Sequence, residues 1–133
     1  IADDKDLKSF SQWQYQITRV GDDEHRFREF SLDGLSKIKI YAIGEGDEDE
    51  MFDFAWIENK SNGQIVWEML PRNTDWAGGA EKNRKIKSEI YLPKGRYLLH
   101  YRTDGSHSFE DWNDDPPRDF RHYGVSINIE KPE

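Results

Sequence analysis

The chain has no cysteine among its 133 residues. That removes a disulfide framework, a thiolate metal site and a cysteine nucleophile, and it does not identify a compartment. Long apolar runs are missing as well. Nothing approaches the roughly 20 residues of a membrane-spanning helix, and no signal peptide is recognisable, so no membrane insertion is expected. Hydrophobic residues make up only 35% of the chain. Positive charge is in deficit: 19 Lys+Arg stand against 27 Asp+Glu, a formal net charge of −8. This balance argues against nonspecific binding to nucleic acid or to an anionic membrane surface. It leaves room for a bound cation, beside the plainer reading that the charge keeps the domain soluble.

What the chain does have is aromatic rings. They are 14% of the residues, five Trp among them, and each large ring buries about 150–250 Å². The length is that of one domain with a real core. The first residue is Ile1, not Met, which reads as a processed product or an excised domain. Residues 1–10 are polar and read as a linker or frayed terminus, residues 11–130 as a single domain, and residues 131–133 as a tail.

Period-two alternation dominates the domain. Trp13, Tyr15 and Ile17 share one face, with Gln12, Gln14 and Gln16 opposite. Ile38, Ile40 and Ala42 alternate with Lys37, Lys39 and Tyr41. Ile86, Ser88, Ile90 and Leu92, then Tyr97, Leu99 and Tyr101, then Val125, Ile127 and Ile129, repeat the pattern. Phe52, Phe54 and Trp56 share parity, which predicts that they face inward, and Ile65, Trp67 and Met69 form the apolar side of the next strand. Turn signals separate these runs. Asp33-Gly34 and Asn62-Gly63 read as two-residue hairpins, and Pro93-Lys94-Gly95 as a turn. No convincing helix is present. The expectation is an all-β fold, an antiparallel β-sandwich of about eight strands with jelly-roll or Greek-key connections. A closed barrel is the alternative.

Three irregular segments are richer in polar and glycine residues than a connection needs: Gly44–Glu50, Pro71–Asn83 and Asp104–His122. The last belongs to a stretch from Thr103 to Gly124 that holds a His, a Trp, a Pro pair and five Asp. A connection of that length inside a compact domain is usually functional or disordered, and its aromatic content argues against disorder. Paired glycines at Gly78-Gly79 suggest close backbone approach or positive φ.

Calcium is one expectation for these segments, because a hard cation takes six to eight oxygen ligands. Glu45, Asp47, Asp49 and Asp53, with Asp104, Asp111 and Asp114, could supply them, although the EF-hand spacing is absent. The bland reading is a solvated acidic loop. Sugar or peptide binding is a second expectation. Trp76 and Trp112 lie in loops, and Asn83, Arg84, Asn113 and Arg118 suit hydrogen bonding to such a ligand. The bland reading is that both Trp plug the end of the fold. Catalysis is a third. His107 lies near Ser106, Ser108, Asp104 and Asp111, and Glu45 with Asp111 could be imagined as acid and base. No Gly-x-Ser-x-Gly elbow accompanies them, and His25, His100, His107 and His122 lack zinc spacing. No enzyme is expected, and the bland role for His107 is to hold the long connection in shape.

Several blocks together resemble an uncharacterised bacterial β-sandwich domain: Ile40 to Gly46, Trp56-Ile57, Val66 to Met69, Ala77 to Arg84, Leu92 to Tyr97, and Ser106 to Pro117. The resemblance spans roughly residues 25–130, and its Ser106-His107-Ser108…Asp111-Trp112-Asn113…Pro116-Pro117 block is the distinctive part. The layout is more loosely similar to the pre-peptidase C-terminal type of accessory sandwich. What the resemblance implies is a fold and an accessory role in a larger, often exported protein. It brings no catalytic or metal residue.

The resulting expectation is a non-catalytic, extracytoplasmic recognition domain, secreted, periplasmic or on the cell surface. Its partners would be a polysaccharide or a protein, along with other domains of a parent chain, and no nucleic acid. Its ligand residues would come from Trp76, Asn83, Arg84, His107, Asp111, Trp112, Asn113 and Arg118, with calcium on Glu45, Asp47, Asp53, Asp104, Asp111 and Asp114. A carbohydrate-binding module stacking sugars on its loop Trp residues is the alternative, and a hydrolase using His107 and Asp111 the third reading.

Overall fold

The alternating runs become nine antiparallel strands in the computed structural model, which describes residues 13–131. The expected linker over residues 1–10 lies outside the described residues, as do the last two residues of the expected tail. The strands are β1 (Tyr15–Ile17), β2 (His25–Leu32), β3 (Ser36–Gly46), β4 (Met51–Asn59), β5 (Ile65–Glu68), β6 (Asp75–Trp76), β7 (Asn83–Leu92), β8 (Gly95–Arg102) and β9 (Gly124–Glu130). Among the described residues, helical structure is limited to single 3-10 turns at Pro71–Asn73 and Phe120–His122. No helix among the described residues is long and apolar enough to cross a membrane.

β3 is the longest strand and the centre of one ladder. It pairs β7 from Ser36↔Leu92 to Glu45↔Asn83, and β9 from Lys37↔Glu130 to Ile43↔Gly124. β1 extends that ladder beyond β9, and β6 extends it beyond β7. A second ladder runs β2–β8–β4–β5. The two join where the end of β3 meets the start of β4, through Glu45↔Asp53 and Gly46↔Met51, with a bulge between Glu45 and Gly46. The arrangement is all-β and antiparallel, and compatible with a sandwich. Its core takes Ile38, Ile40, Val125 and Ile127 from one ladder and Ala55, Ile57, Leu99 and Tyr101 from the other.

Two local expectations differ from the structure. Asn62-Gly63 does turn a hairpin, between β4 and β5. Asp33-Gly34 does not: β2 pairs β8 while β3 pairs β7 and β9, so this turn carries the chain from one ladder to the other. A turn sequence sets chain reversal but not which strand becomes the neighbour. The face of β4 is also reversed. Asp53, Ala55 and Ile57 are buried, and Phe52, Phe54 and Trp56 lie half-buried on the opposite side. There Trp56 stacks on His100, with ring centroids 4.6 Å apart and planes 7° from parallel.

Candidate functional site

The three irregular segments meet at one end of the fold. β3 continues through Gly46, so the acidic loop proper is only Asp47–Glu50. The glycine pair has positive φ, +88° at Gly78 and +70° at Gly79, and a Cβ on Gly79 would collide with Pro116 O. That close approach lets the second segment dock on the third: Ala80 N–H donates to Asp115 O at 3.2 Å and Arg118 N–H to Ala77 O at 3.0 Å. The long connection is pinned on its other flank as well. Phe109 N–H donates to Val20 O at 3.0 Å, Asp23 N–H to Asp104 O at 2.9 Å, and the Ser108 hydroxyl to the Asp22 carboxylate. His107 and Glu110 adopt left-handed backbone, and Ser108 forms an isolated antiparallel bridge with Asp111.

Asn83 and His107 sit at the junction, fully buried. The Asn83 amide donates to Gly78 O and to Asp115 O, both at 2.8 Å, and its Oδ1 pairs His107 Nε2 at 2.5 Å. Burial, then the nearby Lys82 ammonium, depresses the His107 pKa and keeps the imidazole neutral. Trp112 meets His107 and Tyr123 edge-on, with centroids 5.1 and 4.9 Å away, and joins Tyr41, Ile43, Ala77 and Tyr123 in a second apolar cluster. These three expected ligand residues therefore hold the loops together: Asn83 and His107 offer no surface to a ligand, and Trp112 is a plug.

A carboxylate cluster lies at the β3–β4 corner. Glu45, Asp53 and Asp104 each place a carboxylate oxygen within 4.8 Å of the others. Glu45 and Asp53 are direct cross-strand partners, a position where like charges repel. Asp53 is completely buried. It accepts the Tyr123 hydroxyl on one oxygen and the Asp104 N–H on the other at 2.9 Å. Burial pushes its pKa up to about 8, and the Glu45 and Asp104 charges add to the shift. Glu45 has a side chain only 7% exposed. Its Oε2 faces Lys82 Nζ at 3.3 Å, and its Oε1 is buried with no hydrogen-bond partner. Burial and the adjacent Asp104 raise its pKa too.

The other expected metal residues stand apart from this cluster. Asp47 is exposed and uses one oxygen to accept the Asp49 and Glu50 amides, which holds its carboxylate below the usual range. Asp111 is exposed and faces Asp22, whose carboxylate raises its pKa. Asp114 is exposed and accepts the Asp115 amide. Short-range backbone capping accounts for Asp47 and Asp114 without an ion.

Beside the corner runs an open groove of about 830 Å³, lined by residues of the first two segments that include Asp47, Arg72, Trp76 and Lys82, and by Arg84 of β7. Trp76 is 53% exposed. Its ring is nonetheless fixed, because Nε1 donates to Gly79 O and Ala80 O at 3.3 and 3.2 Å. Arg84, its partner in the two-residue β6–β7 ladder, is tied by Nη2 to Thr74 O at 2.6 Å and by Nε to Thr74 Oγ1 at 3.0 Å. Lys82 joins groove and third segment through Asn113 Oδ1 at 2.6 Å. Asn113 and Arg118 are exposed at this end but do not line the groove.

Sequence reasoning missed Arg72, Lys82 and Tyr123 here. It also missed the outer face of β2, β4 and β8, where the 61%-exposed Phe27 lies near His25 and His100, and both of those near Trp56. The signal for that face was the second parity of β4, in which small Ala55 and branched Ile57 turn inward. No protein-family model matches the chain, and no curated protein matches it.

Proposed function

We propose that this domain is a non-catalytic recognition module that captures a polysaccharide chain in the groove beside Trp76. The observation that carries the reading is an exposed indole whose N–H is anchored between two backbone carbonyls, lining an 830 Å³ groove. A flat ring packs on the apolar face of a sugar, and a ring ordered in advance lowers the entropy cost of capture. Groove charge favours the same ligand class. Asp47, Glu48 and Glu81 balance Arg72, Lys82 and Arg84, which suits a neutral ligand with many hydroxyls better than a polyanion. The accessory place in a larger, extracytoplasmic bacterial protein rests on the resemblance carried by the Ser106–Pro117 block.

A hydrolase built on His107 and Asp111 has no such support. The imidazole is buried and bonded to Asn83, while the Asp111 carboxylate turns to Asp22. A glycan array followed by fluorescence titration of the best binder tests the proposal. Saturable binding that Trp76→Ala abolishes, with Trp112→Phe retaining it, is expected. Binding that survives Trp76→Ala would move the ligand elsewhere and overturn the groove reading.

A further inference from the structure

We propose that Glu45, Asp53 and Asp104 form a divalent-cation site, of the calcium type, at the β3–β4 corner. The proposal does not depend on what the groove binds. Its first support is convergence: three carboxylates from two adjacent strands and the start of the long connection lie within 4.8 Å of one another. Its second is the state of Glu45. The side chain is more than nine-tenths buried, and Oε1 is buried with no donor to meet it. A buried carboxylate oxygen without a partner loses its hydration with nothing in return, and a cation is the partner that three converging acids can share.

Lys82 Nζ, 3.3 Å from Glu45, meets only one of the six carboxylate oxygens in the cluster. Hard oxygen donors select calcium or a similar ion over softer metals. Asp104 is exposed, which gives the ion a path from solvent and leaves room for the waters that complete a shell of six to eight oxygens. Tyr123 and the Asp104 amide already orient the Asp53 carboxylate, as outer partners do in settled metal sites. An ion here would brace the strand end that carries Asp47 and Glu48 into the groove.

Terbium is a suitable probe because it accepts the same oxygen ligands and is excited through nearby aromatic rings. Tyr123, hydrogen-bonded to Asp53, is the sensitiser. In the full chain, sensitised emission that added calcium displaces is expected. Asp104→Asn, at an exposed position, and Glu45→Gln should each weaken it at least tenfold. Asp47→Asn, in the neighbouring loop, should leave it unchanged. The absence of calcium-displaceable emission at millimolar ion overturns the proposal, as does wild-type affinity in both cluster variants or a loss confined to Asp47→Asn.

Discussion

Two buried polar groups lie side by side at the loop end, and they are solved differently. Asn83 spends its amide on Gly78 O, Asp115 O and His107 Nε2. Across the β3–β7 ladder its register partner, Glu45, keeps one carboxylate oxygen with nothing to accept. The satisfied group explains why three separate segments stay together. His107 Nδ1, beside Asn83, is also buried without a partner, so unfilled hydrogen-bonding capacity alone does not mark a place for a ligand. What sets the Glu45 oxygen apart is the convergence of two more carboxylates within 4.8 Å.

The contrast is sharpest under mutation of its structural half. Asn83→Ala removes three hydrogen bonds from a buried junction and leaves Gly78 O and His107 Nε2 without partners, while Asp115 O keeps only the Ala80 N–H. A loss of about 3 kcal/mol or more is expected in denaturant unfolding. Calcium should not rescue it.

The acidic half should reveal itself through pH. In chelator, the folded chain keeps a proton on Asp53 up to about 8, whereas the unfolded chain releases it near 3.8. The unfolding free energy should therefore fall as pH rises between about 4 and 8. The expected loss is on the order of several kcal/mol. Asp53→Asn should flatten that slope, since Tyr123 can turn its hydroxyl to His107 O, 3.2 Å away, and accept from the new amide. An unchanged slope in the variant would place the titrating group elsewhere.

The two loop tryptophans give a smaller comparison. Trp112→Ala should cost about 2–3 kcal/mol, because the ring packs against Tyr123 and His107. Trp76→Ala should change stability by less than about 1 kcal/mol, since the ring is half in solvent and its indole bonds are exposed. Thermal melts of the two variants measured together decide it. Equal losses would remove the distinction between plug and platform.

Most of the strand pattern was legible in the sequence. Ile38-Ile40-Ala42, Tyr97-Leu99-Tyr101 and Val125-Ile127 each face the core as their alternation requires. The face of β4 was not legible, because large aromatics normally predict the inward side. Here the rings of Phe54 and Trp56 pack with His25 and His100 on the outer face, and Asp53 is drawn in by Tyr123, seventy residues away in sequence. Pairing partners were hidden for a related reason: Asp33-Gly34 is a good turn in either a hairpin or a crossing between ladders. Among the acids, Glu45, Asp53 and Asp104 differ from Asp47, Asp111 and Asp114 only through long-range register and packing. Composition could name the pool and could not pick the three.

The most direct test is the melting midpoint of the full chain in EDTA and in excess calcium, followed by tryptophan fluorescence. A ligand that binds only the folded state raises the midpoint, by about 5 °C when free ion is ten times its dissociation constant. Such a rise, absent in Asp104→Asn, is the expected result. Equal midpoints in EDTA and in millimolar calcium would show that the Glu45 corner is closed by its own protons and by Lys82, and would contradict the cation site.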